Sequence, residues 1–228
     1  MDGLRTLLSL LAVMTTLTSN TLRTAAPQND IDGLLFLVNR QWTVSEMYEP
    51  EVVTAQVRGQ VRNMRADAAA ALEEMFAACK AEIHVTLVSV SGYRSYGKQK
   101  NIYNRKLKSV KNVVEKADEF VARPGASEHQ IGLAMDVGQL NSSSGLTGSF
   151  GKTKGGLWLA EHCWEYGFIL RYQEGWEEIT GYSAEPWHVR YVGKEYAKRI
   201  YDSDEPFETW MNQFRTQRLL ELIGEDAQ

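Results

Sequence analysis

Two short segments, about fifty residues apart, hold the side chains of this chain best suited to chemistry. They are Ser127-Glu128-His129-Gln130-Ile131-Gly132-Leu133-Ala134-Met135-Asp136 and Glu185-Pro186-Trp187-His188. A hydrolytic zinc site needs three protein ligands, an open coordination position and a carboxylate to take a proton from water. His129, Asp136 and His188 are the candidate ligands, and Glu185, close to His188 but not a ligand, is the candidate base. The chain has only 4 histidines, so finding two of them in these segments carries weight.

Each piece has a plainer reading when taken alone. His129 would be a loop residue and Asp136 a strand-end cap. Glu185 would pair with Arg190 in a partly buried salt bridge. Arg94, in Ser91-Gly92-Tyr93-Arg94-Ser95, follows a strand, where binding residues are common. Its guanidinium can grip a carboxylate with paired hydrogen bonds or stabilise a developing oxyanion. Gln99 and Ser127 are placed to hydrogen-bond a peptide.

The elements that must position these residues follow from periodicity. Val57, Val61, Met64, Ala68, Leu72, Met75 and Cys79 recur at steps of three and four, which predicts an amphipathic helix of about twenty-five residues. Residues 83–90 read as a strand ended by Ser91-Gly92. A polar helix is expected from Lys98 to Asp118, and Arg123-Pro124-Gly125-Ala126 is a loop. Residues 133–137 form an apolar run, a buried strand. This strand would deliver His129 from its start and Asp136 from its end, with Gly132 letting the backbone pass close to the site.

Beyond a Ser/Gly/Thr-rich loop over 141–149, a helix is expected over 155–166, strands over 168–172 and 187–192, and helices over 194–201 and 206–223. In the 187–192 strand, alternation puts His188 and Arg190 on one face. The expected fold is α+β, with a small, largely antiparallel sheet flanked by helices.

Composition narrows the partners. With 43% hydrophobic residues the chain can bury a substantial core, and a net charge of −4 lacks the dense basic track of a nucleic-acid binder. The basic run Arg105-Lys106-Leu107-Lys108-Ser109-Val110-Lys111 reads as a solvated helix face. Cys79 and Cys163 read as two buried free thiols. Residues 7–17 are apolar and are followed by the small-residue site Thr24-Ala25-Ala26, as in a secretory leader. Residues 1–26 are therefore read as a signal peptide or N-terminal membrane anchor, 27–33 as a linker, and 34–228 as one domain. The protein is expected to be exported to the cell envelope.

The motifs taken together resemble the VanY-type D-alanyl-D-alanine carboxypeptidases. The matching pieces are Ser91 to Ser95 with Gln99, then Pro124 to Asp136, then Trp158-Leu159-Ala160-Glu161 with Tyr166 to Tyr172. Last come Glu177 to Tyr182 leading into Glu185-Pro186-Trp187-His188-Val189-Arg190-Tyr191-Val192-Gly193. The resemblance covers roughly residues 35–200. It implies the small α+β fold shared with Hedgehog-type peptidases, zinc held by His129, Asp136 and His188, and Glu185 as catalytic base. It also implies that Arg94 holds the substrate, with Ser127, Gln99, Tyr93 and Trp187 on the substrate side. The implied partner is a peptidoglycan stem peptide, which loses its C-terminal D-alanine; separately, the protein is expected to be a monomer.

The alternatives are an L,D-carboxypeptidase acting on tetrapeptide stems and a non-catalytic zinc-stabilised wall-binding domain. Two features stand apart. His162 and His84 read as structural, packing residues. Gln173-Glu174-Gly175-Trp176 departs from the Pro/Lys-rich turn the resemblance would place there.

Overall fold

A computed structural model describes the chain over residues 30–225; the leader read over 1–26 and the start of the linker lie outside the described residues. No helix among them is long and apolar enough to cross a membrane.

The longest apolar periodicity gives helix α1, Ala66–Ile83, whose buried residues Ala68, Leu72, Met75, Phe76 and Cys79 form one stripe. The helix is shorter than predicted. Strands β1 (Val53–Thr54) and β2 (Asn63–Met64) pair antiparallel before it, so Val57 and Val61 lie between strands. The reason is Gly59, at φ 139, a conformation no helix contains. The Ser89 amide donates to the Arg58 carbonyl at 2.9 Å and the Gln60 amide to the Ser89 carbonyl at 3.0 Å. A Cβ on Gly59 would lie 2.1 Å from the Ser89 carbonyl oxygen. Helix α1 ends at His84, which is exposed in the left-handed region (φ 56). His84 is thus a helix terminator rather than a packing residue.

Four strands form the main sheet: β3 (Leu87–Ser91), β4 (Ala134–Gln139), β5 (Phe168–Leu170) and β6 (His188–Tyr191). Their order is β3-β4-β6-β5, antiparallel throughout. Side chains alternate as a pleat requires. Met135, Val137 and Val189 join the main core with Leu72, Met75 and Phe168, which leaves Asp136, His188 and Arg190 on the opposite face. That second face is closed by helices α6 (Lys194–Ser203) and α7 (Phe207–Glu225), whose Ile200, Phe207, Trp210 and Phe214 pack with Leu35, Leu37 and Ile169.

The helix expected over 98–118 is two helices, α2 (Tyr96–Ser109) and α3 (Val114–Asp118). Lys111 and Asn112 adopt positive φ between them and end α2. The helix α4 (Lys154–His162) starts at a Thr153 cap and tightens into a 3-10 turn stopped by Gly167. A short helix α5 (Glu177–Thr180) had no sequence signal. Cys79 and Cys163 are buried free thiols; burial pushes them up to about 11 and about 12, so both stay protonated. His162 is structural as expected, bonded to Glu165 at 2.8 Å and packed on Trp158.

Candidate metal centre

Asp136 is the third residue of β4 rather than its end, and it pairs in register with His188, the first residue of β6. His129 does not open the strand. It sits in a buried 3-10 turn, Glu128–Ile131, closed by Gly132 at φ 70. That turn is anchored by the Gln130 amide, which donates to the Ser45 carbonyl at 2.8 Å. A side chain at the start of β4 would share the pleat of its neighbours; the turn instead lifts His129 over the sheet.

The three side chains converge. His129 Nε2 lies 3.4 Å from Asp136 Oδ1, and His188 Nδ1 lies 3.0 Å from the same oxygen. One ligand atom from each residue lies within 4.8 Å of the other two. The outer nitrogens fix the tautomers. His129 Nδ1 donates to the Gly92 carbonyl at 2.7 Å, which frees Nε2, and Nε2 is buried without a partner. His188 Nε2 donates to Glu128 Oε2 at 3.2 Å, which frees Nδ1. Two imidazole lone pairs and a carboxylate, each held from behind, suit zinc with one coordination position left over.

The electrostatics agree. Burial and then the Arg94 charge push His129 down to about 4, so it is neutral. Burial would raise Asp136, but the His188 hydrogen bond and the Arg94 charge hold it below the usual carboxylate range. Burial would lower His188, but its bonds to Asp136 and Glu128 carry it up to about 9, so without a metal Nδ1 holds a proton toward Asp136 Oδ1 and offers its lone pair only when a cation displaces that proton. The Nδ1 position, where Asp136 holds a proton across 3.0 Å, is the one that would also attract a divalent cation.

Glu185 lies in the loop entering β6, where its amide donates to the Tyr172 carbonyl at 2.9 Å. Its carboxylate is 3.9 Å from His188 Nδ1. Burial pushes it up to about 7, against the pull of His188. Arg94 Nη1 donates to Ser91 Oγ at 3.1 Å and Asp136 Oδ2 at 3.4 Å. The alternative Glu185–Arg190 pair does not form, because Arg190 bonds Glu128 instead.

Glu128 is the residue that sequence reasoning missed. It is fully buried, accepting from Arg171 Nε at 2.9 Å and Arg190 Nη1 at 3.0 Å on one oxygen and from His188 on the other. Those arginines hold it below the usual carboxylate range despite burial. Arg171 is forked onto Glu208 of α7, at 2.9 and 2.6 Å. Two carboxylates and two guanidiniums thus balance behind His188. The one signal for this was the alternation that places Arg190 on the face of His188.

A cavity of about 330 Å³ opens over the centre, lined among others by Arg94, Gln99, Ser127, Glu185, Trp187 and the three candidate ligands. Tyr93 is half-buried and is not among the lining residues. The Gln99 amide nitrogen donates to the Ala122 carbonyl at 2.7 Å, and its oxygen is buried without a partner. Tyr172 and Tyr182, which were not among the candidates, also line it. Among the described residues, seven buried side-chain N or O atoms lack a partner, and four belong to cavity residues: Arg94, Gln99, His129 and Tyr182. Buried polar groups are rarely left unpaired, so their concentration here marks a place made for a ligand.

Comparison with known proteins agrees with this geometry. The family model described as VanY, D-alanyl-D-alanine carboxypeptidase, matches residues 61–194, more than half of the chain. A D-alanyl-D-alanine carboxypeptidase of Enterococcus faecalis is 36% identical over 201 residues, covering 85% of this chain and 71% of that protein. The LdcB LD-carboxypeptidase superposes with a TM-score of 0.73 at 44% identity, over 78% of this chain and 86% of that one. VanYB in complex with D-alanine-D-alanine superposes with a TM-score of 0.68 at 34% identity, over 78% and 97%. A mutant of a vancomycin resistance D,D-pentapeptidase VanY has been solved in complex with Zn(II), with a TM-score of 0.68 at 34% identity, over 78% and 98%.

Proposed function

The chain belongs to the VanY family of D-alanyl-D-alanine carboxypeptidases, and from that premise we propose that it is a zinc enzyme removing the C-terminal D-alanine from peptidoglycan stem pentapeptides. In this reading His129, Asp136 and His188 hold zinc. Zinc bound there supplies Lewis acidity and brings the pKa of water close to 7.

The remaining roles belong to the chain's own side chains. Glu185, titrating near neutrality beside the ligand group, accepts a proton from the attacking water and delivers it to the leaving amine. Arg94, whose buried Nε has no partner, binds the terminal carboxylate or the developing oxyanion. Gln99 and Ser127 receive the peptide, and Trp187 forms an apolar wall of the cavity. The observation that carries the proposal is the placement of Glu185: a nearly buried carboxylate raised to about 7, in the cavity of three convergent ligands. A closed structural zinc site would have no use for it.

Removal of D-alanine from tetrapeptide stems is a second reading, favoured by the likeness to the LdcB LD-carboxypeptidase at 44% identity. The same proposal includes export. Residues 1–26 act as a leader, cleaved or retained as an anchor, and residues 34–228 work outside the membrane as a monomeric domain.

The test is mass-spectrometric product analysis of the zinc-loaded protein given pentapeptide and tetrapeptide stems separately. Chelator-sensitive loss of one alanine from the pentapeptide, stopping there, is expected. Loss from the tetrapeptide selects the second reading, and no cleavage of either with zinc bound overturns both. β-Lactams, which acylate a serine nucleophile, should have little effect.

A further inference from the structure

Tyr182 is 4% exposed, lines the cavity, and its hydroxyl has no hydrogen-bond partner among the described residues. An unpaired hydroxyl in a buried position destabilises the fold, and phenylalanine would fill the same space without that cost. The ring is also held in place. One face meets the Arg40 guanidinium at 4.7 Å, and the ring packs on Tyr172 with centroids 4.9 Å apart. Arg40 is itself fixed, donating to the carbonyls of Asp118 and Gly181. Tyr172 in turn packs against His188, centroids 5.1 Å apart. The Tyr182 ring is thus one aromatic ring removed from the candidate ligand His188, in the lining of the same cavity, with its buried hydroxyl left unpaired.

Resting on the proposed carboxypeptidase reading, we infer that Tyr182 is a substrate-binding residue, donating its hydroxyl proton to a carbonyl of the stem peptide upstream of the scissile bond. Gln99, another residue lining that cavity, has an unpaired amide oxygen that is the complementary acceptor. Together they offer one donor and one acceptor, the pair a peptide unit presents in reverse. Burial pushes the Tyr182 hydroxyl up to about 12, so it remains a donor at any pH at which the enzyme would work.

The experiment compares wild-type and Tyr182→Phe, both zinc-loaded and full-length, on a pentapeptide stem and on N-acetyl-D-alanyl-D-alanine, which lacks the upstream residues. The variant loses one oxygen atom that bonds nothing in the protein, so its melting temperature should be equal to or above that of the wild type. The expected result is a fall of about three- to tenfold in kcat/KM on the pentapeptide, carried by KM, with little change on the short substrate. Equal kinetics on the pentapeptide would overturn the inference alone. An equal loss on both substrates would also overturn it, since the contact would not then be upstream. A wild-type chain that cleaves neither substrate would remove the carboxypeptidase reading and this inference with it.

Discussion

Asp136 and His188 stand directly opposite each other on adjacent antiparallel strands, and their side chains meet at 3.0 Å from Oδ1 to Nδ1. Directly opposed residues have Cβ atoms about 5 Å apart on one face. The ladder that orders the sheet therefore also sets the spacing of two candidate ligands, and only His129 has to be brought in by a separate turn. His188→Ala and Asp136→Asn should each lose bound zinc and activity together. Zinc binding should raise the melting temperature of the wild type, by about 2.7 kcal/mol of stability at a hundredfold excess over Kd, and should not raise that of the variants. Metal analysis of the purified proteins reads this directly; His188→Ala with a full equivalent of zinc would remove His188 from the ligand set.

Glu185→Gln should retain zinc and lose most turnover, because the amide can occupy the site but cannot accept a proton. The pH profile carries the same information. Burial raises the Glu185 carboxyl to about 7. Below that pH the proton is on and the base is lost, so kcat/KM should fall as pH drops through the titration and level off above it. The charge of zinc favours the carboxylate, so the acid limb should lie at or below about 7, never above. An acid limb unchanged in the Glu185→Gln protein would assign it to another group.

Glu128 offers a prediction about metal affinity rather than chemistry. Its carboxylate fixes the His188 tautomer while balancing Arg171 and Arg190. Glu128→Gln should weaken zinc binding by about 10–100-fold. It should also destabilise the fold by about 3–5 kcal/mol, since buried guanidiniums lose a counter-charge. Glu208→Gln, one step further away, should weaken zinc in the same direction by less. The sign with pH is fixed as well. Glu128 has a lowered folded pKa, so its contribution is present above the usual carboxylate range and is lost as pH falls below it. Chelator competition would measure the affinities, and a wild-type Kd in folded Glu128→Gln would contradict the tautomer argument.

The candidate ligands and the candidate base were legible in the sequence because their chemistry is rare: few side chains bind zinc, and the chain has few histidines. The strand holding Asp136 was legible as an apolar run, and the face shared by His188 and Arg190 as simple alternation. What was not legible depends on convergence. Glu128 looks like any acid in a loop until Arg171 from β5's end, Arg190 from β6 and Glu208 from α7 close around it. The β1–β2 hairpin was hidden because Val57, Val61 and Met64 happen to continue the period of α1. Two-residue strands are too short to announce themselves, and the approach of Gly59 to Ser89 is a tertiary fact. The unpaired Tyr182 hydroxyl can be recognised only once its surroundings are known.

Gly92, read from the sequence as a strand end, has a stricter job. Its carbonyl accepts the His129 Nδ1 proton at 2.7 Å, which turns Nε2 toward the other ligands. A Cβ at Gly92 would lie 2.5 Å from the Asn63 carbonyl oxygen and 3.0 Å from Met135 Cε. The first of these is backbone, itself bonded by the Tyr93 amide at 2.7 Å, and cannot step aside cheaply. Gly92→Ala should therefore push the chain away from β2 and take the carbonyl with it. The expected outcome is a loss of about 1–3 kcal/mol of stability together with weakened zinc binding, although no ligand has been changed. Gly97→Ala is the control: nothing lies within 4 Å of a Cβ there, at the start of α2. That change should leave zinc affinity alone and raise stability by up to about 1 kcal/mol. Melting curves and zinc titrations on the two variants separate the outcomes. Lower stability in Gly92→Ala with wild-type zinc affinity would mean that the sheet, and not the Gly92 carbonyl, orients His129.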